Sequence, residues 1–323
     1  MAISDYLNKL VQLKNDLITT LRNKGVEVSD DEKLNTLVPK VNEVEGEQNV
    51  KWVEDTSGIS LVGDSSGSVY MSNILSYITH INLPEGVTQI GDYVFNKSPI
   101  KTLEVPETVI SIGACAFLAC PNLTEIKIQS ETITIGYSSF GSCSNLMYVI
   151  AGNNGATSIG EHAFNNCKNL VQTPIGSDTT NIGAYAFRYC NSLTEINTFN
   201  SEIGEQAFFQ CTGLTNATLG GTTIGYRAFY ECTNLDTVTI NDGVETIGER
   251  VFEYCSNLKS VIIPKTVKYI KAYTFNNCKA LANIYYTGTA EEWNAITKTK
   301  YWNYSMGSNV SGGTVIHYNY IPE

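Results

Sequence analysis

The chain has 323 residues, with 32 Asp and Glu against 21 Lys and Arg, and a formal net charge of −11. That balance disfavours nucleic acid and anionic membranes as partners, because both select a surplus of cationic side chains. No apolar run reaches the length of a membrane span, so insertion into a bilayer is not expected either.

The first predicted element covers residues 2–24, where Ile3, Leu7, Leu10, Leu17 and Leu21 fall at 4-3 spacing along one side of a helix. Lys14 interrupts that seam, and Gly25 stands where a helix stops. A second helix opens with the capping box Ser29 and Glu32 and carries Leu34, Leu37, Val41 and Val44, with Pro39 kinking or ending its first half. Residues 1–45 thus read as an α-helical hairpin. Two short amphipathic helices bury little alone, so the hairpin either caps the rest of the chain or uses its seam for docking or homo-oligomerisation. Met1-Ala2-Ile3-Ser4-Asp5 has neither a basic nor an apolar signal segment. If Met1 is the native start, an exit route other than general secretion is expected. Residues 46–77 are rich in Gly, Ser, Asp and Asn and read as a linker and irregular N-terminal cap, with a turn at Gly63-Asp64-Ser65-Ser66-Gly67.

From residue 78 to 284 the chain repeats itself. The pattern I-G-x-x-x-F-x-x-C-x-x-L runs from Ile112 to Leu123 and recurs up to Ile270–Leu281, where Lys271 replaces the glycine. A worn first copy keeps Phe95 but has Ser98 in place of cysteine. The phenylalanines at 95, 117, 140, 164, 187, 208, 229, 252 and 275 set a period of 21 to 24 residues, which is the signature of a solenoid. After each Leu an alternating pair such as Val261 and Ile263 marks a short strand, and the Ala-Phe segment is too short for more than a 3-10 or helical turn. One coil cannot bury its own apolar side chains, and stacking the next coil does so. About nine coils with short parallel strands are therefore expected. Turn-lengthening stretches at 151–155 and 176–179 make residues 150–223 the least regular part.

Eight of the nine cysteines occupy one slot, three residues after the Phe; Cys115 is the exception. Equivalent positions on stacked coils keep their Cβ atoms about 5 Å apart, wider than the ~3.8 Å a disulfide needs. With no C-x-x-C pair to chelate zinc, they read as small buried thiols, and neither a metal nor a cofactor is expected. The three histidines, His80, His162 and His317, sit in no nucleophile or metal-ligand spacing, so catalysis is not expected.

Two sets of variable positions are candidate recognition surfaces. Tyr137, Tyr185, Tyr226 and Tyr273 follow the repeat glycine, and Tyr189, Tyr230 and Tyr254 shortly precede the cysteine. Tyrosine offers a large contact area with a polar tip and little rotamer entropy, although the same rings can simply shield neighbouring coils. The second set is the outward position within each strand: Lys127, Ile150, Asn197, Thr218, Thr239, Ile262 and Tyr285. After Leu281 the pattern changes. Thr289 and Glu292 form a capping box for a short helix that turns Trp293 and Ile296 inward, and Val315-Ile316-His317-Tyr318 closes as a strand. Residues 285–323 then read as a C-terminal cap, with Trp293, Trp302 and Tyr318 expected in its core rather than as a sugar platform, an option that Trp302 amid polar residues keeps open.

The motif L-x-x-I-x-I-P…V-x-x-I-G-x-x-A-F-x-x-C resembles the BspA-like, treponemal-type bacterial leucine-rich repeats over roughly residues 75–290. The resemblance implies a leucine-rich-repeat solenoid, a matching C-terminal cap, and a surface or host-contact binding role. The phrasing Leu10-Val11, Lys14-Asn15, Leu21, Lys24-Gly25-Val26 and Leu37-Val38-Pro39-Lys40-Val41 is similar to N-terminal helical segments of tail-associated proteins of phages and prophages infecting Firmicutes. Together they lead to the expectation of a non-enzymatic binding protein on a phage or prophage tail that contacts a protein or glycan of a bacterial surface. The alternatives are a bacterial BspA-like surface adhesin and a structural spacer that binds nothing outside its assembly.

Overall fold

The computed structural model describes residues 87–322 apart from 153, the strands Val50–Asp55, Gly58–Gly63 and His80–Ile81, and positions 15, 18, 19, 22, 27 and 83. The expected helical hairpin and its seam, Ile3, Leu7, Leu10, Leu17 and Leu21, lie outside the described residues. Positions 15, 18, 19 and 22 are helical, and Thr19 Oγ1 donates to the Asn15 carbonyl at 2.8 Å.

Each coil begins with the alternating strand. In Thr237–Ile240, Val238 and Ile240 are buried while Thr237 and Thr239 are half-buried. This strand lies parallel to Ser260–Ile263 with Val238 opposite Val261, so equal slots stack. Such strands form one sheet of four, from His80–Ile81 to Tyr148–Ala151, and one of six, from Glu195–Asn197 to Val315–His317. A second strand per coil, only Thr-Ile or its like, joins a twelve-stranded sheet that includes Thr223–Ile224, Thr246–Ile247 and Tyr269–Ile270. The glycine after that short strand is needed for clearance rather than for its torsions. A Cβ on Gly204 would lie 2.6 Å from the Ala184 nitrogen of the preceding coil.

The segment around each Phe departs from the expected 3-10 or helical turn. It is a run of hydrogen-bonded turns in which the residues two before and two after the Phe have positive φ, as at Tyr185 (59°) and Tyr189 (64°). Left-handed torsions are costly for residues with a Cβ. Here they turn three N–H groups towards the next coil: Tyr185, Phe187 and Tyr189 donate to the carbonyls of Glu205, Ala207 and Phe209 at 2.8, 2.7 and 2.9 Å. A helical turn would fold those donors back on its own carbonyls and forfeit the ladder.

The core is a set of columns. Phe95 through Phe275 stack ring on ring at 4.9–5.8 Å and within 24° of parallel. Trp302 closes the column edge-on at 6.3 Å from Phe275. All nine cysteines are free and buried. The eight ladder thiols donate to the carbonyl of the preceding coil's Phe, as Cys211 Sγ does to Phe187 at 3.0 Å. Burial pushes the Cys211 thiol up to about 12 and holds Cys190, Cys232 and Cys255 well above the usual range too.

Between the four- and six-stranded sheets the ladder is interrupted at residues 171–175. There Thr173 takes a slot that is apolar elsewhere, and Pro174 has no N–H for the next rung, so pairing shrinks to one bridge, Tyr148 to Gln172. At the N-terminal end, the stretch read as linker and cap contains an antiparallel hairpin whose Gly58–Gly63 strand pairs with Val87–Ile90. At the other end, the helix Ala290–Ala295 carries the expected Thr289–Glu292 capping box and buries Trp293, with Ile296 buried just beyond. Tyr318 corrects the expectation of a cap-core residue: it is 39% exposed. The terminal strand pairs only as far as His317, and Tyr318 falls past that register where no layer covers it.

Candidate recognition surfaces

The seven candidate tyrosines all lie on the turn segments, four of them, Tyr185, Tyr189, Tyr254 and Tyr273, at the left-handed positions themselves. Tyr137 and Tyr254 are exposed; Tyr185, Tyr189, Tyr226, Tyr230 and Tyr273 are half-buried. They occupy four different slots around the Phe, yet many touch across coils. Tyr137 meets His162 edge-on at 5.7 Å, and His162 stacks on Tyr185 at 4.7 Å. Tyr189 meets Phe209 edge-on at 5.8 Å, Phe209 stacks on Tyr230 at 5.0 Å and 4°, and Tyr230 meets Tyr254 at 5.5 Å. Nearer the C-terminus, Tyr273 stacks on Tyr301 at 5.4 Å.

Arginine ties these rings together. The Arg188 guanidinium lies 4.6 Å from the Tyr189 ring centre and 4.7 Å from that of Phe209. Arg227 stands 5.1 Å from Tyr226 and 4.9 Å from Tyr230, and Arg250 stands 4.5 Å from Tyr273. Three of the chain's four arginines therefore sit against this aromatic ribbon of the turn segments, Arg188 and Arg227 on its middle run of rings and Arg250 on its C-terminal one. Cation–π contact fixes each guanidinium plane at a place chosen by the stack. Sequence reasoning missed Arg188, Arg227, Arg250 and Phe209, and weighed His162 only for catalysis and metal binding. The available signal was that Arg188, Arg227 and Arg250 all fall within two residues of a repeat Phe.

Carboxylates line the same ribbon, most of them engaged within it. Glu205 accepts from Tyr185 Oη at 2.9 Å, Glu231 accepts from Gln210, and the buried Glu253 pairs with Arg250 at 2.8 Å. The Glu205 bond raises the Tyr185 phenol above its ordinary range, with burial adding to it. Burial lowers His162, the Arg188 charge pushes the same way, and Glu161, 3.5 Å from Nε2, opposes them.

The strand candidates lie on a different side of the coil and do not join this ribbon. Asn197, Thr218, Thr239, Ile262 and Tyr285 stand in one register row of the six-stranded sheet. Lys127 belongs to the other sheet, opposite Glu104 and Ile150, and pairs with Glu125 at 3.3 Å. The row continues to His317, opposite Tyr285, and the Tyr285 ring is stacked by His317 at 4.8 Å and met by the tilted ring of Tyr320 at 4.7 Å. Among the described residues there is no group of three metal-ligating side chains, and no helix is long and apolar enough to cross a membrane.

The family profile described as BspA type leucine rich repeat region matches in six copies, over residues 72–194 and 180–297. No curated protein matches the chain. Among solved structures, a leucine rich cell surface protein from Faecalibacterium prausnitzii is 19% identical, with 78% of this chain and 96% of that one covered at a TM-score of 0.32. The leucine rich repeat protein of T. pallidum is 20% identical, with 57% and 68% covered and a TM-score of 0.33. The pneumococcal vaccine antigen PcpA is 14% identical, with 67% and 63% covered and a TM-score of 0.34.

Proposed function

We propose, from the premise that this chain belongs to the BspA-type leucine-rich repeat family, that it is a non-catalytic binding protein whose solenoid recognises a bacterial surface. The observation that carries this reading is the aromatic–arginine ribbon. The inward slots repeat nearly the same Ile, Phe, Cys and Leu in every coil, while the turn segments vary and still assemble runs of ring-to-ring contacts three or four rings long. Tyrosine and arginine are the residue types that concentrate binding energy at interfaces. The N-terminal resemblance to tail-associated proteins supports a place on a phage or prophage tail, in which residues 1–45 attach the chain to the particle and the solenoid faces the host. An adhesin held on the bacterial surface is the second reading, favoured by the family itself.

Labelled full-length chain incubated with intact bacterial cells tests the binding role. Tyr230→Ala with Tyr254→Ala is expected to lower cell retention strongly, and Thr218→Ala with Thr239→Ala to leave most of it. Equal retention by both variants would move recognition off the ribbon. Antibody against the chain, applied to particles released on prophage induction, separates a tail location from an envelope location.

A further inference from the structure

We infer that the ribbon is built for a protein partner presenting discrete, spaced carboxylates, received by Arg188 and Arg227. This rests on the binding role proposed above and names the chemistry of its ligand. Arg250 is already neutralised by Glu249 at 3.3 Å and Glu253 at 2.8 Å. Arg188 and Arg227 are not: among the described residues, neither has a carboxylate at ion-pair distance. Arg188 spends one N–H on the Tyr189 hydroxyl at 2.9 Å, and the Nε of both arginines is buried without a hydrogen-bond partner. An acidic chain would ordinarily pair such charges within itself, and five carboxylates stand on the same turn segments. Those five are Glu161, Glu205, Glu231, Glu249 and Glu253. The contacts from Arg188 to Phe209, Phe209 to Tyr230 and Tyr230 to Arg227, at 4.7, 5.0 and 4.9 Å, hold the two guanidiniums within about 15 Å of each other.

The arrangement selects among anions. A guanidinium fork receives a carboxylate through two parallel N–H···O bonds, and with Nε buried on both arginines the two terminal nitrogens are left to do so. A continuous polyanion would lay charge over the five resident carboxylates as well as over the arginines, which like-charge repulsion opposes. Isolated Asp or Glu side chains on an otherwise apolar or polar protein surface meet the two open cations and avoid the rest. The flanking rings supply the large, rigid contact area such an interface requires.

The test uses the full-length chain and synthetic peptides as probes. Tyrosine- and leucine-containing peptides carry two glutamates moved apart stepwise, each matched by its glutamine isostere, and binding is read by fluorescence anisotropy. One or a few spacings are expected to bind, with glutamine isosteres weaker by on the order of tenfold or more. Arg188→Gln and Arg227→Gln should each cause a comparable loss, Arg250→Gln much less. Arg188→Lys keeps the charge and the stem but loses the fork, and should fall between wild type and Arg188→Gln. Equal binding of glutamate and glutamine peptides would overturn the inference, as would tighter binding of heparin or polygalacturonate than of any peptide. Intact-cell retention that survives the Arg188→Gln, Arg227→Gln double variant would also overturn it while leaving the binding role standing. Failure of the wild-type chain to bind any cell, with peptide selectivity intact, would remove the proposed role instead.

Discussion

Two columns of the core, the phenylalanines and the cysteines, each have their own stability signature. Phe187 lies between Phe164 and Phe208 at 5.1 and 5.2 Å, fully buried, so Phe187→Ala should lose about 3–5 kcal/mol through lost contact and an uncollapsed cavity. Phe95, in the worn first copy, stacks on Phe117 and should cost less; urea midpoints of the two variants check the order. The cysteines add a dependence on pH. With the Cys211 thiol raised from 9.0 to about 12 by burial, the unfolded chain loses its proton first as pH rises. Between those values the folded state binds more protons than the unfolded one, so stability is complete below pH 9 and falls as pH climbs towards 12. Several ladder thiols share the direction, and unfolding followed against pH should show a steep alkaline loss. Cys211→Ser keeps a donor for the Phe187 carbonyl and should flatten that loss slightly.

At the level of the coil, clearance decides which positions tolerate change. A Cβ on Gly220 would lie 1.5 Å from the Phe199 carbonyl oxygen, whereas one on Gly152 would meet nothing nearer than 3.9 Å. Gly220→Ala should therefore destabilise by about 1–3 kcal/mol or more and Gly152→Ala hardly at all, as thermal unfolding of the pair would show. The repeat made the strands, the Phe and Cys columns and the solenoid legible before any coordinates, because inward slots obey one packing rule nine times over. The turn segments were misjudged because Tyr185 and Tyr189 carry no glycine or asparagine to announce left-handed torsions; the bonds to Glu205 and Phe209 that stabilise them join residues twenty apart. The tyrosine half of the ribbon could be read from its slots. Its arginine half was signalled only by nearness to the repeat Phe, since Arg188 follows a Phe and Arg227 precedes one, and only the offset between neighbouring coils brings Arg188 onto Phe209 and Arg227 onto Tyr230.

Across the whole molecule, stability is shared between neighbouring coils and ends at two caps. The C-terminal one works through Trp302, edge-on to Phe275, and through Thr297–Lys298 and Val315–His317, which extend the two sheets by one strand each. Trp302→Ala should expose the end of the Phe column and lower the unfolding temperature, with aggregation rising alongside, as scattering during a thermal ramp would report. The inter-coil hydrogen bonds have a further consequence, a mechanical one. They run along the stack, so tension applied between its two ends pulls each coil squarely off the next instead of shearing many bonds at once. The rungs of one coil must part before those of the next bear load, and each release frees 21 to 24 residues, roughly 70–85 Å of chain. Stretched from end to end, the solenoid would pay out length in near-equal steps at nearly constant force, a shock absorber whose increments are set by the spacing of its phenylalanines.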